Sequence, residues 1–225
     1  MNDALLRVLQ LTDSAFPTGS FSQSFGLETA IAEGRVKDEV SFANWLRVYL
    51  EDGLGPADAS AIVLAMRGAV TLGAIDDVLF ALTPARESRQ ALTRIARAMR
   101  DGYNAIGIDG PLLLAYRTAT DAGRAAGHPA LWTAAAMNVM NVDAGLAAGA
   151  YLSNVLASLA AVAARAVPLG QRSVQRVLWE MRPAIAAAVE AALLVRSLED
   201  IGSWATTQEI DAMRHHLLDA RVFSS

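Results

Sequence analysis

The sequence contains no cysteine and only one lysine among its 225 residues. Without cysteine the chain cannot form disulfides, thiolate metal sites or a cysteine nucleophile. The single lysine, Lys37, follows Val36, so the Gly-Lys-Ser/Thr sequence of P-loop hydrolases is missing. The Gly-x-Ser-x-Gly turn of serine hydrolases is missing too. These absences exclude several large classes of enzyme.

Aromatic and charged residues are also scarce. Aromatic residues make up 6% of the chain and charged residues 19%, with a formal net charge of −4 at pH 7. No basic stripe is present, which argues against nucleic acid as a partner. The N-terminus lacks a basic stretch followed by an apolar run, so we expect no secretory signal.

Apolar residues are abundant at 53%, and many of them are alanine, which favours helix. Phe42, Trp45, Leu46 and Tyr49 recur at the spacing of one helix face. No segment alternates like a strand. We therefore predict one all-α domain over residues 1–225, a bundle of about ten helices.

Proline and serine set the helix boundaries that we expect. The prediction places one break at Pro56 and another at Pro183, since proline interrupts helix hydrogen bonding. It also starts a helix near 22–33, with Ser20 or Ser22 as its cap. Each of these boundaries depends on local sequence alone.

One stretch requires a test for a membrane span. Residues 144–164, AGLAAGAYLSNVLASLAAVAA, carry no charge and are long enough to cross a bilayer. We favour a helix buried in a soluble bundle over an integral membrane protein, because the stretch is mostly alanine, glycine and serine. Gly145 and Gly149 lie at i and i+4, which predicts close packing against another helix.

Residues 10–28, QLTDSAFPTGSFSQSFGLE, carry more large apolar side chains than an exposed loop normally holds. Phe16 precedes Pro17 and is therefore expected to be extended. Thr18-Gly19 indicates a turn, and Phe21 and Phe25 are predicted to share one face of the helix that follows. A loop of this composition either packs onto its own domain or binds another protein.

Two other segments, far from residues 10–28 in the sequence, also carry distinctive motifs. Residues 165–171 read RAVPLGQ, and residues 200–225 read DIGSWATTQEIDAMRHHLLDARVFSS. With residues 10–28, in this order, they closely resemble the UreF family of urease accessory proteins. The chain departs from the family pattern at His216, where glutamate is usual, and at Val222, where leucine is usual.

The resemblance implies a function without catalysis. It implies a cytoplasmic, all-helical scaffold that forms a homodimer and joins a UreD-type (also called UreH-type) accessory protein to the GTPase UreG. The complex would modulate GTP hydrolysis by UreG and pass nickel to apo-urease, with no cofactor held tightly by this chain. The positions that match the family motifs, and that the resemblance assigns to partner binding, are Phe16, Pro17, Gly19, Phe21, Ser24, Gly26, Glu28, Arg165, Pro168, Gly170, Gln171, Arg221 and Phe223.

The C-terminal tail, residues 220–225, carries one arginine and one phenylalanine at a chain end, where order is usually poor. We expect it to dock only when the UreD-type partner binds. Phe223 would then be the apolar anchor, and Arg221 would pair with a carboxylate or a carbonyl.

An enzyme is the alternative that the sequence leaves open. Asp76 and Asp77 begin DDVLF, which is similar to the aspartate-rich magnesium motif of helical prenyl-transferring enzymes. Such a motif needs a further carboxylate one turn later, and Phe80 stands there. We favour two exposed acids in the first turn of a helix over a helical magnesium-dependent enzyme.

Histidine is the remaining source of metal ligands. Adjacent His215 and His216 diverge by about 100° on a helix and cannot easily share an ion. His128 precedes a proline and is expected at a helix start, exposed to solvent. The prediction is no metal site within one monomer, with His128 and His215 left as candidates for a site shared across a symmetric dimer.

Overall fold

The computed structural model describes residues 3–225, and all regular secondary structure in that range is helical. The α-helices are α1 (Asp3–Leu11), α2 (Leu27–Ala32), α3 (Glu39–Tyr49), α4 (Ser60–Arg67), α5 (Leu72–Ala81), α6 (Arg86–Ala105), α7 (Pro111–Asp121), α8 (Pro129–Val139), α9 (Ala144–Ala166), α10 (Gln171–Ala192) and α11 (Thr206–Arg214). A π-helical segment, Leu50–Ala59, joins α3 to α4 without a break. The described residues thus form ten separate helices, which confirms the predicted all-α fold.

Helix α8 lies at the centre of the bundle. Its residues from Pro129 to Met137 are all buried. It packs against α4, α6, α7 and α9, while α10 covers α9 and the π-helical segment. On another side α11 packs against α2 and α6, which brings the end of the chain to the first motif.

The predicted break at Pro56 is wrong, because Pro56 lies inside the π-helical segment. Two glycines explain why the helix continues. A Cβ on Gly55 would lie 3.1 Å from Ala188 Cβ, and a Cβ on Gly53 would lie 3.1 Å from Ala205 Cβ. Neighbouring segments therefore approach this helix closely, and tertiary packing outweighs the local preference for a break.

The predicted break at Pro183 is also wrong, because α10 runs through it. Pro183 is on the exposed side of the helix. Met181 and Ala184 are buried on the opposite side and hold the helix against its neighbours. This packing compensates for the roughly 3 kcal/mol that an internal proline costs a helix.

The helix expected over 22–33 is shorter than predicted. Ser20–Ser22 form a single 3-10 turn, and α2 begins only at Leu27. Phe25 and Gly26 have φ values of 48° and 89°, which an α-helix cannot contain. The cap of α2 is therefore Gly26 instead of Ser20 or Ser22, and Phe21 and Phe25 do not share a helix face.

Within residues 3–225, α9 is the one helix whose length and composition would allow it to cross a membrane. Of its apolar window, 56% is buried inside the protein. A Cβ on Gly145 would lie 3.5 Å from Val189 Cγ1, and a Cβ on Gly149 would lie 3.7 Å from Val189 Cγ2. Both glycines therefore face α10, as predicted, at distances that would also admit an alanine.

Candidate functional site

The first and last motifs of the chain meet at one place, here called the loop–tail junction (residues 20–28 and 221–225). The backbone N–H of Ser24 donates to the carbonyl oxygen of Ser225 at 2.7 Å. The N–H of Ser224 donates to the carbonyl oxygen of Ser22 at 2.8 Å. The Ser24 hydroxyl also donates to the Ser225 carbonyl oxygen. The tail thus pairs with the loop through backbone groups.

Glu28 is the centre of the junction. It lies in the first turn of α2 and is buried. Its Oε1 accepts from the N–H of Val222 at 2.6 Å, and its Oε2 accepts from the N–H of Phe223 at 3.1 Å. The same Oε2 lies 2.8 Å from Nε2 of His215. One buried carboxylate therefore holds the tail and the end of α11 together.

A second carboxylate completes this arrangement. Glu87 Oε2 lies 2.7 Å from Nδ1 of His215, and Glu87 Oε1 accepts from Arg221 Nη1 at 3.1 Å. Carboxylates without a proton only accept hydrogen bonds. Both contacts of His215 are therefore satisfied when each of its ring nitrogens carries a proton. His215 itself is fully buried.

Arg165, in the last turn of α9, connects this helix to the loop–tail junction. Its guanidinium lies 4.7 Å from the ring centroid of Phe223 and donates to the carbonyl oxygen of Phe21. It also donates from Nε to the carbonyl oxygen of Ala161 at 3.1 Å. A guanidinium over an aromatic face contributes about 0.5–2 kcal/mol. Arg165 thus contacts both the loop and the tail.

The expectation that the tail docks only on a partner needs correction. Phe223 is the apolar anchor, as expected, and Arg221 pairs with a carboxylate, as expected. Both contacts are made within the chain itself, because the loop leaves buried hydrogen-bond acceptors that the tail amides satisfy.

Close packing explains the glycine at position 26. A Cβ there would lie 2.5 Å from the carbonyl oxygen of Gln208. The positive φ of Gly26 is a second reason, since other residues are strained there. Phe25, with φ 48°, is one of the few non-glycine residues in this conformation. The loop is therefore held in a shape that local preferences alone would not select.

The remaining predicted residues lie on both sides of the junction. Phe16 is buried against Tyr103, with ring centroids 5.6 Å apart. Pro17 and Gly19 are exposed in the turn that follows. Exposed residues also form the turn between α9 and α10, namely Pro168, Gly170 and Gln171.

Apolar side chains are exposed beside the tail. Ile210 and Met213 on α11 are 47% and 48% exposed, Leu217 is 66% exposed and Val222 is 73% exposed. Ile210, Met213 and Leu217 are spaced at i, i+3 and i+7. Large apolar side chains that cluster on a surface are typical of protein–protein contacts.

A cavity of about 100 Å³ lies behind the loop and is lined by the π-helical segment and by α6, α8 and α9. Asp58 Oδ1 accepts from the Tyr151 hydroxyl at 2.7 Å and lies 4.0 Å from His128 Nδ1. Burial raises the pKa of Asp58 to about 6. Burial likewise raises the pKa of Glu209, on the same cavity, to about 7 and lowers that of His128 to about 3.

The raised pKa of Asp58 predicts a pH dependence of the free energy of unfolding that Asp58→Asn should remove. In the unfolded chain the Asp58 carboxyl has its ordinary pKa of 3.8 and ionises first. The Asp58 contribution to the free energy of unfolding therefore falls by up to about 3 kcal/mol as pH rises from about 4 to about 6, and it stays low above that pH. Asp58→Asn should raise the free energy of unfolding at neutral pH, as measured by urea denaturation.

Glu209 contributes a slope of the same sign, and His128, whose pKa is lowered, contributes a slope of the opposite sign, so the comparison must be between the two proteins at each pH. The gain of Asp58→Asn over the parent should be small near pH 4 and largest above about pH 6. A variant that is less stable than the parent at neutral pH would contradict this account. Tyr151→Phe is the matched control for loss of the hydrogen bond alone.

Asp76 is a buried, hydrogen-bonded carboxylate and not an exposed acid. It is fully buried, and its carboxylate accepts from the Tyr116 hydroxyl at 2.5 Å. It also accepts from the N–H groups of Ala126, Gly127 and His128 at 2.6, 3.2 and 2.8 Å. Only Asp77 is exposed. The expectation of two exposed acids is therefore wrong for Asp76, which holds the turn before α8.

The histidines occupy different environments. His128 caps α8, as expected, and its Nδ1 accepts from the N–H of Ala130 at 3.3 Å. It is buried, so the expectation of an exposed side chain is wrong. His216 is exposed, whereas His215 is enclosed by Glu28 and Glu87. Within residues 3–225, no three histidine, cysteine, aspartate or glutamate side chains are arranged so that they could hold a metal ion together.

Sequence reasoning missed Glu87 and Asp58. Glu87 lies in a strongly charged helix, so nothing local distinguishes it from solvated neighbours. Asp58 did carry a signal, because it is an acid in an otherwise small and apolar stretch. Such a residue is more often a buried hydrogen-bonded group than a surface one.

Comparison with known proteins gives one consistent result. The family model described as UreF matches residues 36–182. The chain is 37% identical over 229 residues to the urease accessory protein UreF of Corynebacterium glutamicum (strain R), covering 99% of each. It is 37% identical to that of Paenarthrobacter aurescens (strain TC1), covering 98% of this chain and 97% of the relative. It is 35% identical to that of Bacillus sp. (strain TB-90), covering 98% and 99%.

Proposed function

Because this chain belongs to the UreF family of urease accessory proteins, we propose that it acts in urease maturation as a scaffold without catalysis. In this proposal it joins a UreD/UreH-type accessory protein to a UreG-type GTPase in the cytoplasm. The complex modulates GTP hydrolysis by the GTPase and helps to deliver nickel to apo-urease. The chain acts as a homodimer and holds no tightly bound cofactor.

The loop–tail junction is the observation that carries this proposal. Two motifs at opposite ends of the chain are held together by buried Glu28, and exposed apolar residues stand beside them. A surface that is rigid and apolar suits a stable partner, because little conformational entropy is lost when it binds. We propose that the loop–tail junction and the apolar residues beside it bind the UreD/UreH-type protein.

Removal of the tail tests this assignment. Deletion of residues 220–225 should leave the helical far-UV spectrum intact, since the tail contributes no helix. It should abolish co-purification with the UreD/UreH-type protein. Phe223→Ala keeps the chain length and removes only the anchor, so it should weaken capture by about tenfold or more. Unchanged capture by both variants would overturn the assignment.

We propose that the turn between α9 and α10 binds the UreG-type GTPase. Gln171→Ala removes an exposed side chain and should weaken recruitment of the UreG-type protein while the tail stays docked. Arg165→Ala should weaken recruitment and also loosen the tail, because Arg165 contacts Phe21 and Phe223. Each loss should be about 2 kcal/mol if the residue is a hot spot.

Titration of the GTPase against the immobilised complex measures both variants. Arg165→Lys is the matched control, since lysine keeps the charge but lacks the planar guanidinium that stacks on Phe223. If both alanine variants recruit the GTPase with parental affinity and urease activation is normal, the residues are structural.

A further inference from the structure

The cavity behind the loop contains polar groups that the proposed function does not use. Asp58 and Glu209 both line it, together with three tyrosines, Tyr49, Tyr103 and Tyr151. A cavity of about 150 Å³ holds benzene, so one of about 100 Å³ has room for about four non-hydrogen atoms. Polar groups that converge in a largely apolar cavity are typical of a small-molecule site.

The lining carries negative charge without a balancing cation. Among the described residues that line the cavity, none is an arginine or lysine, and His128 is neutral because burial lowers its pKa to about 3. Burial, with a smaller contribution from the Asp58 carboxylate, raises the pKa of Glu209 to about 7. Arg89, which is outside the lining, acts on Glu209 in the opposite direction. At neutral pH the cavity therefore holds net negative charge, which favours a cation.

Two polar atoms of the lining have no hydrogen-bond partner within residues 3–225. One is the hydroxyl of Ser88, a residue that is only 2% exposed, and the other is Oε2 of Glu209. Buried polar groups normally have a partner, so both atoms indicate a bound molecule. That molecule must donate a hydrogen bond, because a carboxylate can only accept one.

A metal ion fits this lining poorly. Within residues 3–225, Asp58, Glu209 and His128 do not form a group arranged to hold an ion together. The Nδ1 atom of His128 already accepts from the N–H of Ala130 at 3.3 Å, so its lone pair is in use. An organic ammonium needs no fixed coordination geometry, because its N–H groups donate to oxygen atoms and aromatic rings attract its charge.

From this lining we propose that the cavity binds a small primary ammonium compound. Asp58 and Glu209 are the anionic partners of its nitrogen, and the Ser88 hydroxyl is a further hydrogen-bond partner. The short alkyl part lies against the apolar lining. Thr18 and Ser203, which also line the cavity, are partly exposed and place one side of it near the protein surface. This inference goes beyond the proposed function and does not rest on it.

Titration of the purified full chain with ethylammonium chloride, followed by NMR, tests the proposal. The amide signal of Ser88 should shift and reach saturation. The expected dissociation constant is in the millimolar range, which is near the limit for a ligand of about three non-hydrogen atoms. Ethanol, a neutral molecule of the same size, should bind about tenfold more weakly or less, because it lacks the charge. Sodium chloride is the control for ionic strength.

Substitutions in the lining identify the groups that bind the nitrogen. Glu209→Gln and Asp58→Asn each remove one carboxylate and should each weaken ethylammonium binding by about tenfold or more. Ser88→Ala should weaken it by about two- to tenfold. Glu51→Gln is the matched control, since Glu51 is exposed and outside the lining. Glu209 is partly exposed, so Glu209→Gln tests the proposal even if Asp58→Asn fails to fold.

Equal binding of ethanol and ethylammonium, or parental affinity in both carboxylate variants, would overturn the proposal. Shifts that do not saturate would also overturn it and would leave water alone as the occupant. Stronger saturable shifts of the same amide with magnesium or nickel chloride would overturn it in favour of a metal site. No accessory protein takes part in this titration, so its failure leaves the proposed function standing. Failed capture of the accessory proteins, conversely, leaves the cavity site standing.

Discussion

Glu28→Gln should release the C-terminal tail and lower the free energy of unfolding by about 2–4 kcal/mol. The carboxylate accepts from two tail amides and contacts His215, all in a buried position. An amide has one acceptor oxygen, and its NH₂ group would face a donor. Hydrogen exchange of the Val222 and Phe223 amides measures release of the tail, and urea denaturation measures stability.

Glu51→Gln is the matched control for this change. Glu51 forms an exposed pair with Arg47 at 3.7 Å on a helix surface. Exposed pairs of this kind contribute about 0.3–0.5 kcal/mol, so the control should be nearly as stable as the parent. Slow exchange of both tail amides in Glu28→Gln would show that Glu28 does not hold the tail.

Asp76→Asn should be the most damaging conservative change, with a loss of about 3 kcal/mol or more in the free energy of unfolding. The Asp76 carboxylate accepts from the Tyr116 hydroxyl and from three backbone N–H groups at the start of α8. Asparagine leaves at least one buried donor without an acceptor. Thermal or urea unfolding measures the loss.

Asp77→Asn provides the contrast, because Asp77 is exposed and should change stability by about 0.5 kcal/mol or less. A helical magnesium enzyme would show the reverse pattern: both aspartates would bind the ion, and magnesium would raise the unfolding temperature of the parent. Stabilisation by magnesium that both substitutions abolish would revive the enzyme hypothesis.

The sequence predicted the fold class well because helices are encoded by local periodicity. The apolar residues of α3, such as Phe42, Trp45 and Leu46, are buried as their spacing predicts. The ends of the helices were harder to predict from the sequence. Pro56 and Pro183 predicted breaks that neighbouring segments override, and α2 starts late because Phe25 and Gly26 adopt a conformation imposed by α11 packing.

The candidate site was predictable in its parts but not in its assembly. Glu28, Arg165 and Phe223 were all singled out from their motifs, and the structure brings them together. That the tail docks within its own chain could not be read from spacing, because the contact joins residues 194 positions apart. Glu87 has no local signal at all, since its role depends on His215 and Arg221.

The long separation within the loop–tail junction has a consequence for biosynthesis. Ribosomes add about 5–20 residues per second, so Val222 is made about 10–40 seconds after Glu28. During that interval the Glu28 carboxylate has neither of its tail amides. The cost of closing so large a ring grows only slowly with its length, so the contact forms readily once both ends exist. The first motif of the chain is therefore among the last parts of the molecule to reach its native form.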